Sequence, residues 1–346
     1  MSAETQTPAP LLSGLKVVVL ADRLVDFGGE MLARLGADVT LADTGEVTEI
    51  RQAAWHGGMR HSPASSTPLA GLLAGADVLL DDRRRSPRPE VDALAASHSR
   101  LVHVVATAWP EGPPPRPATD LTLMAASGLM HVIGTAEDPP LRLPGEQAYA
   151  LTGIQVATAA LMGLRARART GRGQRIPVSG LQSATLANYR EAVMFEWTGR
   201  IGRRVGNKLV RGASGVRQVW PCADGYVTWS MVDNPGMMRA VVRVMAEEGC
   251  AGELAGIVWE DILVADTDQA IIDRWQGLVG AFFARHTRAE LGDWSLRLGW
   301  GVSPITRLAE VPDSPQMQAR GIFVETPEGK LARGPLFAVH PEEGAA

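Results

Sequence analysis

Gly14 to Leu41 reads GLKVVVLADRLVDFGGEMLARLGADVTL. Its opening run, Leu15 to Leu20 (LKVVVL), is β-branched and apolar on both faces. A polar loop follows, Met31, Leu32 and Leu35 mark a helical stretch, and beyond Gly36 a second run spans Ala37 to Leu41. Strand, helix and strand at this spacing predict a right-handed crossover in a parallel sheet with helices packed on it. Ala76 to Leu80 (ADVLL) and Leu101 to Ala106 (LVHVVA) continue the alternation, separated by a basic turn and an Ala/Leu helix over Glu90 to Ser97. The amino-terminal half reads as α/β.

From Asp120 the pattern turns to longer helices, over Leu121 to Ile133 and over Leu151 to Arg169, the latter with a basic last turn before Gly171. A brief strand, Gln174 to Val178, carries Pro177, which places it at a sheet edge or an irregular position. Another helix runs from Leu181 to Thr198. Ile201 to Gly215 (IGRRVGNKLVRGASG) is rich in Gly, Arg and Lys without periodicity and reads as a linker or ligand-facing loop. Arg217 to Pro221 and Tyr226 to Ser230 form a hairpin about the Asp224-Gly225 turn, amphipathic helices fill Asp233 to Leu298, and an extended tail starts at Gly301. The expected organisation is a large α/β domain over 1–200, a linker over 201–216, a small α+β domain over 217–305, and a segment over 306–346 that returns to the large domain.

Charge and composition restrict the ligands. The 346 residues carry 34 Lys and Arg against 38 Asp and Glu, a formal charge of −4, so the chain exerts no long-range pull on nucleic acid or an anionic membrane. An anionic ligand has to be met by local groups. Cys222 and Cys250 stand alone, which excludes a disulfide framework and a cysteine-built structural zinc site. Met1 to Ser13 has neither a basic start nor an apolar core like that of a signal peptide, and Leu151 to Leu164 falls short of the ~20 apolar residues that cross a bilayer. A soluble protein of the reducing cytoplasm is the expectation.

Ala21 to Gly29 (ADRLVDFGG) lacks the G-x-G-x-x-G order of a dinucleotide fingerprint, and the Gly28-Gly29 pair reads more simply as glycines that let a helix start tightly. Walker-type loops, H-E-x-x-H, C-x-x-C and G-x-S-x-G are absent from the sequence. The seven histidines have no metal-ligand spacing, and His56 and His61, beside Trp55 and Arg60, read as solvated loop residues. Asp82 to Arg88 (DRRRSPR) sets several guanidinium groups at the carboxyl end of a strand, where open α/β sheets bind ligands; they are either phosphate forks or a solvated surface. Asp120 follows the proline-rich turn Gly112 to Pro117 and precedes a nearly apolar helix. One reading makes it an N-cap; the other makes it a nucleophile, ionised at neutral pH beside backbone N–H groups able to stabilise an oxyanion.

Taken in order, these pieces resemble the class III (CaiB/BaiF-type) CoA-transferases, the group that includes formyl-CoA transferase and carnitine CoA-transferase. The resemblance runs through Gly14 to Arg23, Arg34 to Val39, Ala76 to Arg84 (ADVLLDDRR), Arg100 to Val105 and Asp120 to Met130 (DLTLMAASGLM). Downstream it takes in Gly171 to Ser179, Asp224 to Val227, Gly301 to Pro304 and Arg320 to Phe323. It implies a large Rossmann-like domain, a smaller α+β domain and an interlocked homodimer in which each chain forms a ring threaded by the other. It also implies coenzyme A and acyl-CoA as substrates, a carboxylic acid acceptor and no metal. Asp120 takes the place of the family's nucleophile, Arg84 that of an arginine contacting CoA phosphates, and Arg23 that of the basic residue after the first strand. Thr107, Ala108 and Trp109, in the loop Thr107 to Gly112 (TAWPEG), stand where the family turns near the thioester, and Trp109, Met124 and Tyr149 suggest an apolar part of the pocket.

The sequence departs from the family pattern at Asp26-Phe27-Gly28, around the adenine-side element Asp43 to Arg51, at Gly57 to His61 and at Pro177. These departures leave a non-catalytic acyl-CoA-binding protein as an alternative. An α-methylacyl-CoA racemase of the same fold is a second, but Thr119 stands where racemases carry the histidine base, and Gln147 to Gly153 lacks their second acid.

Overall fold

A run that is apolar on both faces needs cover on both, and Lys16–Ala21 (β1) finds it at the centre of a parallel sheet, with every residue but Lys16 buried. The computed structural model describes residues 10–44, 48–62, 68–111, 116–212, 214–231, 233–334 and 336. Part of the proline-rich turn before Asp120, part of the adenine-side element, most of the amino-terminal segment and the final residues lie outside them.

The chain continues through Asp26–Arg34 (α1), Asp38–Thr44 (β2), Glu49–His56 (α2), Arg60–His61 (β3), Leu69–Leu73 (α3), Val78–Asp82 (β4), Pro89–Ala96 (α4) and Val102–Thr107 (β5). Asp120–Ala126 (α5), Leu129–Val132 (α6), Gln147–Thr170 (α7), Gln174–Ser179 (β6), Gly180–Leu186 (α8) and Tyr189–Thr198 (α9) follow. Six strands form one sheet in the order β3-β2-β1-β4-β5-β6, all neighbours parallel. Consecutive connections build outward from β1 on one side and from β4 on the other, so the sheet reverses direction between these two strands. Open α/β sheets receive ligands beside the carboxyl ends of the strands at such a point. Pro177, opposite Val105, lies on the edge strand β6.

Two helices expected as single pieces are broken. Gly128, at φ +81°, divides Leu121 to Ile133 into α5 and α6, and the stretch expected over Leu181 to Thr198 ends as α8 and resumes as α9 at Tyr189. The Gly28-Gly29 pair also has a different purpose from a tight helix start. A Cβ on Gly28 would stand 2.7 Å from the Gly153 carbonyl oxygen, and one on Gly153 would stand 2.8 Å from Phe27 Cβ and 2.9 Å from the Gly28 nitrogen. Helices α1 and α7 therefore cross with their backbones nearly touching.

The chain divides into two compact units, one holding residues 1–131, 141–202 and 312–346 and the other 132–140 and 203–311. In the first, Pro315–Ala319 (α13), Val324–Thr326 (β12) and Gly329–Leu331 (β13) come late in the chain, and Arg333 reaches Glu30 of α1 at 3.3 Å. The second begins with Lys208–Arg211 (β7) and Ser214–Arg217 (β8), an antiparallel pair inside the stretch expected to be a linker. The difference has a local cause: β8 is buried along Ser214–Val216, and Gly215 within it carries no side chain to show apolar periodicity. Val219–Cys222 (β9), Gly225–Thr228 (β10) and Ser303–Pro304 (β11) form a three-stranded antiparallel sheet, joined by Pro235–Glu247 (α10), Gln269–Phe283 (α11) and Arg288–Leu298 (α12). Its core is aromatic. The Trp220 indole N–H donates to the Trp229 carbonyl at 2.7 Å, Trp229 donates to the Trp300 carbonyl at 3.0 Å, and Phe283 meets Trp220 edge-on at 5.6 Å.

The α1–α7 crossing leaves no room for a side chain on either backbone. Gly153→Val should lower stability by about 1–3 kcal/mol or more, read as a fall in the thermal unfolding midpoint. An unchanged midpoint would mean that the helices do not meet at this distance.

Candidate active site

Asp120 is the first residue of α5, not its cap. Thr119 caps the helix: its hydroxyl accepts the Thr122 N–H at 3.3 Å, while the Thr119 N–H donates to the Thr122 hydroxyl at 2.8 Å. This reciprocal box leaves the Asp120 carboxylate free to face another element. That element is α7, whose leading amides need acceptors because Glu146, at the N-cap position, makes no side-chain cap bond. Asp120 Oδ1 accepts the Tyr149 N–H at 3.2 Å, and the neighbouring Ala148 amide also favours the charged carboxylate.

The carboxylate thus lies on the amino end of a 24-residue helix, where the peptide dipoles favour negative charge. Burial nevertheless raises the Asp120 carboxyl above its ordinary value; the Tyr149 and Ala148 amides oppose the rise, Glu146 adds to it and Arg142 reduces it. The one hydrogen bond with an assigned acceptor atom, from the Tyr149 N–H, falls on Oδ1 of this half-buried carboxylate.

At the sheet reversal, the end of β4 organises the neighbouring loops. Asp82 is buried, and its Oδ2 accepts the N–H groups of Asp22 at 3.1 Å and Leu24 at 2.6 Å, while Oδ1 accepts that of Arg84 at 2.9 Å. Burial pushes the Asp82 carboxyl up to about 7, against the Arg84 and Leu24 amides, with Asp26 and Asp22 adding to the rise. The Arg84 guanidinium donates from Nε to the Asp22 carbonyl at 2.9 Å, from Nη1 to the Ala118 carbonyl at 3.0 Å and from Nη2 to Asp22 Oδ1 at 3.0 Å.

Arg84 shares a hollow of about 160 Å3 with Thr107, Ala108 and Trp109, rimmed by Arg116 and Arg175. The Thr107 hydroxyl donates to the Trp109 carbonyl at 2.7 Å, the Trp109 indole donates to the Arg116 carbonyl at 3.0 Å, and the Arg116 guanidinium lies 4.0 Å from the Trp109 ring centre. Four of the residues singled out from sequence therefore meet in one place. Asp120 and Arg23 are not among the residues lining it. Arg23, on the loop after β1, has a φ of +109° and donates its backbone N–H to Asp26 Oδ1 at 3.0 Å. Its left-handed backbone is rare for a residue other than glycine and recurs at functional loops.

Several groups here escaped the sequence reading. His56 is buried in α2 rather than solvated in a loop, with Nε2 3.3 Å from Asp26 Oδ2. Burial pushes the Asp26 carboxyl up, but His56, Arg51 and the Arg23 amide outweigh it and hold the group below its ordinary value. Arg51 pairs with both Asp26 and Glu146 and covers the Trp55 ring at 4.2 Å. The start of α7 was also missed. It was expected at Leu151, whereas the helix begins at Gln147, and the added residues include the two that hold Asp120. The signal was present in Pro144-Gly145, a breaker pair directly before the true start.

The chain belongs to CoA-transferase family III, whose model matches residues 60–343. Among characterised relatives, the succinyl-CoA:(R)-benzylsuccinate CoA-transferase subunit BbsE of Thauera aromatica is 27% identical over 195 residues, covering 53% of this chain and 44% of that protein. The match thus spans less than half the length of that relative. The fold is that of a CAIB/BAIF family protein from Brucella suis, with a TM-score of 0.78 and 24% identity over 94% of this chain and 92% of the other. Rv3272 from Mycobacterium tuberculosis superposes with a TM-score of 0.75 at 18% identity, over 96% and 94% of the two chains. The mixed α/β architecture expected from sequence, with its parallel sheet, is the architecture of these structures.

Because Asp82 holds its proton to a higher pH in the folded protein than in the unfolded chain, its contribution to stability is fullest below pH 4 and is lost as pH rises towards about 7. The difference in unfolding midpoint between wild type and Asp82→Asn should therefore shift against the wild type between pH 4 and pH 8. A difference that is constant or grows with pH would contradict this assignment.

Proposed function

We propose that the protein is a CoA-transferase that moves CoA from an acyl-CoA donor to a carboxylic acid, with Asp120 as nucleophile. The observation that carries this reading is the Asp120 carboxylate seated by Oδ1 on the Tyr149 N–H at the start of α7. The free oxygen attacks the thioester carbonyl of the donor; the C–S bond breaks, CoA leaves as thiolate, and the acyl group forms a mixed anhydride with Asp120. The thiolate then attacks the Asp120 carbonyl, the donor acid departs as carboxylate, and CoA is held as an aspartyl thioester. The acceptor carboxylate attacks that thioester and releases the thiolate, which cleaves the resulting anhydride at the acceptor carbonyl. The new acyl-CoA leaves and the Asp120 carboxylate is restored.

Each attack on the Asp120 carbonyl places negative charge on its oxygen. The Ala148 and Tyr149 amides, already directed at this group, are the donors that would receive it, and backbone groups fixed in advance need no reorganisation as charge develops. No proton transfer is required in the cycle. Thr119 has its hydroxyl in the capping box, which speaks against a role as base in α-proton abstraction. Thr107, Ala108 and Trp109 are proposed to line the acyl end of the site. An interlocked homodimer in the cytoplasm is part of the same proposal. It is supported by α9, none of whose residues is buried and whose Tyr189, Val193, Phe195 and Trp197 leave an apolar surface exposed.

The test is intact-protein mass spectrometry after mixing the enzyme separately with succinyl-CoA, acetyl-CoA and a longer acyl-CoA. Wild type should gain a hydroxylamine-sensitive CoA or acyl mass with at least one donor, and Asp120→Ala should gain none and lose turnover by at least about 1,000-fold. No adduct with any donor despite measurable CoA binding would overturn the reading in favour of a non-catalytic binder. Since the reacting form is the carboxylate and burial raises its pKa, turnover should fall on acidification from a pH above the ordinary aspartate range.

A further inference from the structure

We infer that Arg84 is a positioning residue for the nucleophile rather than a contact for CoA phosphates: its guanidinium ties the loop after β1 to the Ala118 carbonyl, two residues before Asp120. The inference rests on the reading of Asp120 as nucleophile and deepens it. Three donors in one plane are in use, Nε and Nη2 on Asp22 and Nη1 on Ala118, at 2.9 to 3.0 Å. The side chain is 13% exposed and that of its partner Asp22 is 11% exposed. The Arg84 backbone is held as well, since its N–H donates to Asp82 Oδ1.

The charge around Arg84 argues against a phosphate. Asp22, Asp26 and Asp82 all lie about the carboxyl ends of β1 and β4, and Asp22 is additionally held by Arg85 through its second oxygen at 2.8 Å. A phosphate approaching Arg84 would have to break its three bonds to Asp22 and the Ala118 carbonyl and displace the Asp22 carboxylate, whose side chain is 11% exposed. The tie to Ala118 has a direct consequence. Ala118 is buried, Thr119 is extended as the cap, and α5 starts at Asp120, so fixing the Ala118 carbonyl fixes where the helix enters. Arg84 then sets the backbone of the nucleophile from one side while Tyr149 and Ala148 hold its carboxylate from the other. Tyr149 itself is buried, and its phenol is within electrostatic reach of both Arg84 and Asp120.

Arg84→Lys and Arg84→Gln test this, because neither side chain can supply three coplanar donors. The expected result is a fall of about 10- to 100-fold in the rate of Asp120 adduct formation at saturating acyl-CoA, since small misplacement of a reacting group is expensive, with the dissociation constant for free CoA within about twofold of wild type. A CoA affinity weakened about tenfold or more, with the saturating rate retained, would assign Arg84 to the phosphates and overturn the inference. Phenylglyoxal labelling of the wild-type protein, mapped by mass spectrometry, supplies a readout that needs no variant to fold. Arg84 should resist modification with and without CoA, while exposed Arg85 reacts; modification of Arg84 in the free protein that CoA suppresses would overturn the inference. If wild type forms no adduct at all, the nucleophile reading fails on its own, and hydrogen exchange over residues 116–124 still judges the tie. Arg84→Lys should speed exchange there, and unchanged exchange would sink it.

Discussion

A single buried carboxylate joins the parts of the first unit that matter for chemistry. Asp82 ends β4, and by accepting the amides of Asp22, Leu24 and Arg84 it fixes the loop after β1 against the loop after β4. Neutralising a carboxyl in such a place is the ordinary outcome of desolvation, and only several directed donors make the charged form tolerable. Here the two tendencies nearly balance near neutral pH, so the group is held by geometry more than by a strong ion pair. The arginine it positions extends the same tie to Ala118, and from Ala118 the chain enters the helix that presents Asp120.

Asp120 depends on a second arrangement, in which two helix starts share their capping duties across the fold. Aspartate at a helix start would ordinarily turn its oxygens onto its own first-turn amides. Thr119 and Thr122 satisfy α5 without it, and α7 begins with amides that its own N-cap residue leaves open. The carboxylate of one helix therefore completes the other. Under the proposed mechanism, the donors that stabilise Asp120 as an ion would remain in place when its carbonyl is attacked, linking a folding requirement to a catalytic one.

Much of the sheet was legible from sequence, because Val17 to Leu20 and Val78 to Leu80 are apolar runs too short for helices and separated by crossover-length segments. Pro177, which lacks an N–H, restricted its strand to an edge or an irregular position, and the strand is the edge strand β6. Asp120 was singled out as well, though the helix that holds it was placed four residues late, since the polar and small residues Gln147 and Ala148 carry no apolar periodicity. His56 looked solvated among Trp55, Gly57 and Arg60, because burial of a polar ring depends on a partner thirty residues earlier, Asp26, that no local pattern reveals. Strand β8 was hidden by Gly and Arg residues whose pairing with β7 is antiparallel and short. Arg84 was found by its position after β4, but its partners, Asp22 and Ala118, come from distant segments and fix its purpose only in three dimensions.

The strand order β3-β2-β1-β4-β5-β6 is the one that elsewhere cradles a dinucleotide at the reversal, yet the loop after β1 lacks the glycines that let a pyrophosphate approach. The structure shows why their absence is consistent. Asp22, Asp26 and Asp82 lie there, and the guanidinium of Arg84 is turned onto the Asp22 and Ala118 carbonyls and the Asp22 carboxylate. Gly28, in the helix that follows that loop, is required by the close approach of Gly153 of α7. A region that in a dinucleotide-binding protein would be an anion site is here a cluster of paired carboxylates and guanidinium groups. The same architecture ties the loops after β1 and β4 to the segment that enters the Asp120 helix, and on the inference drawn for Arg84 any CoA phosphate would be met by cations nearer the surface, since a chain with a net charge of −4 offers no general field to supply it.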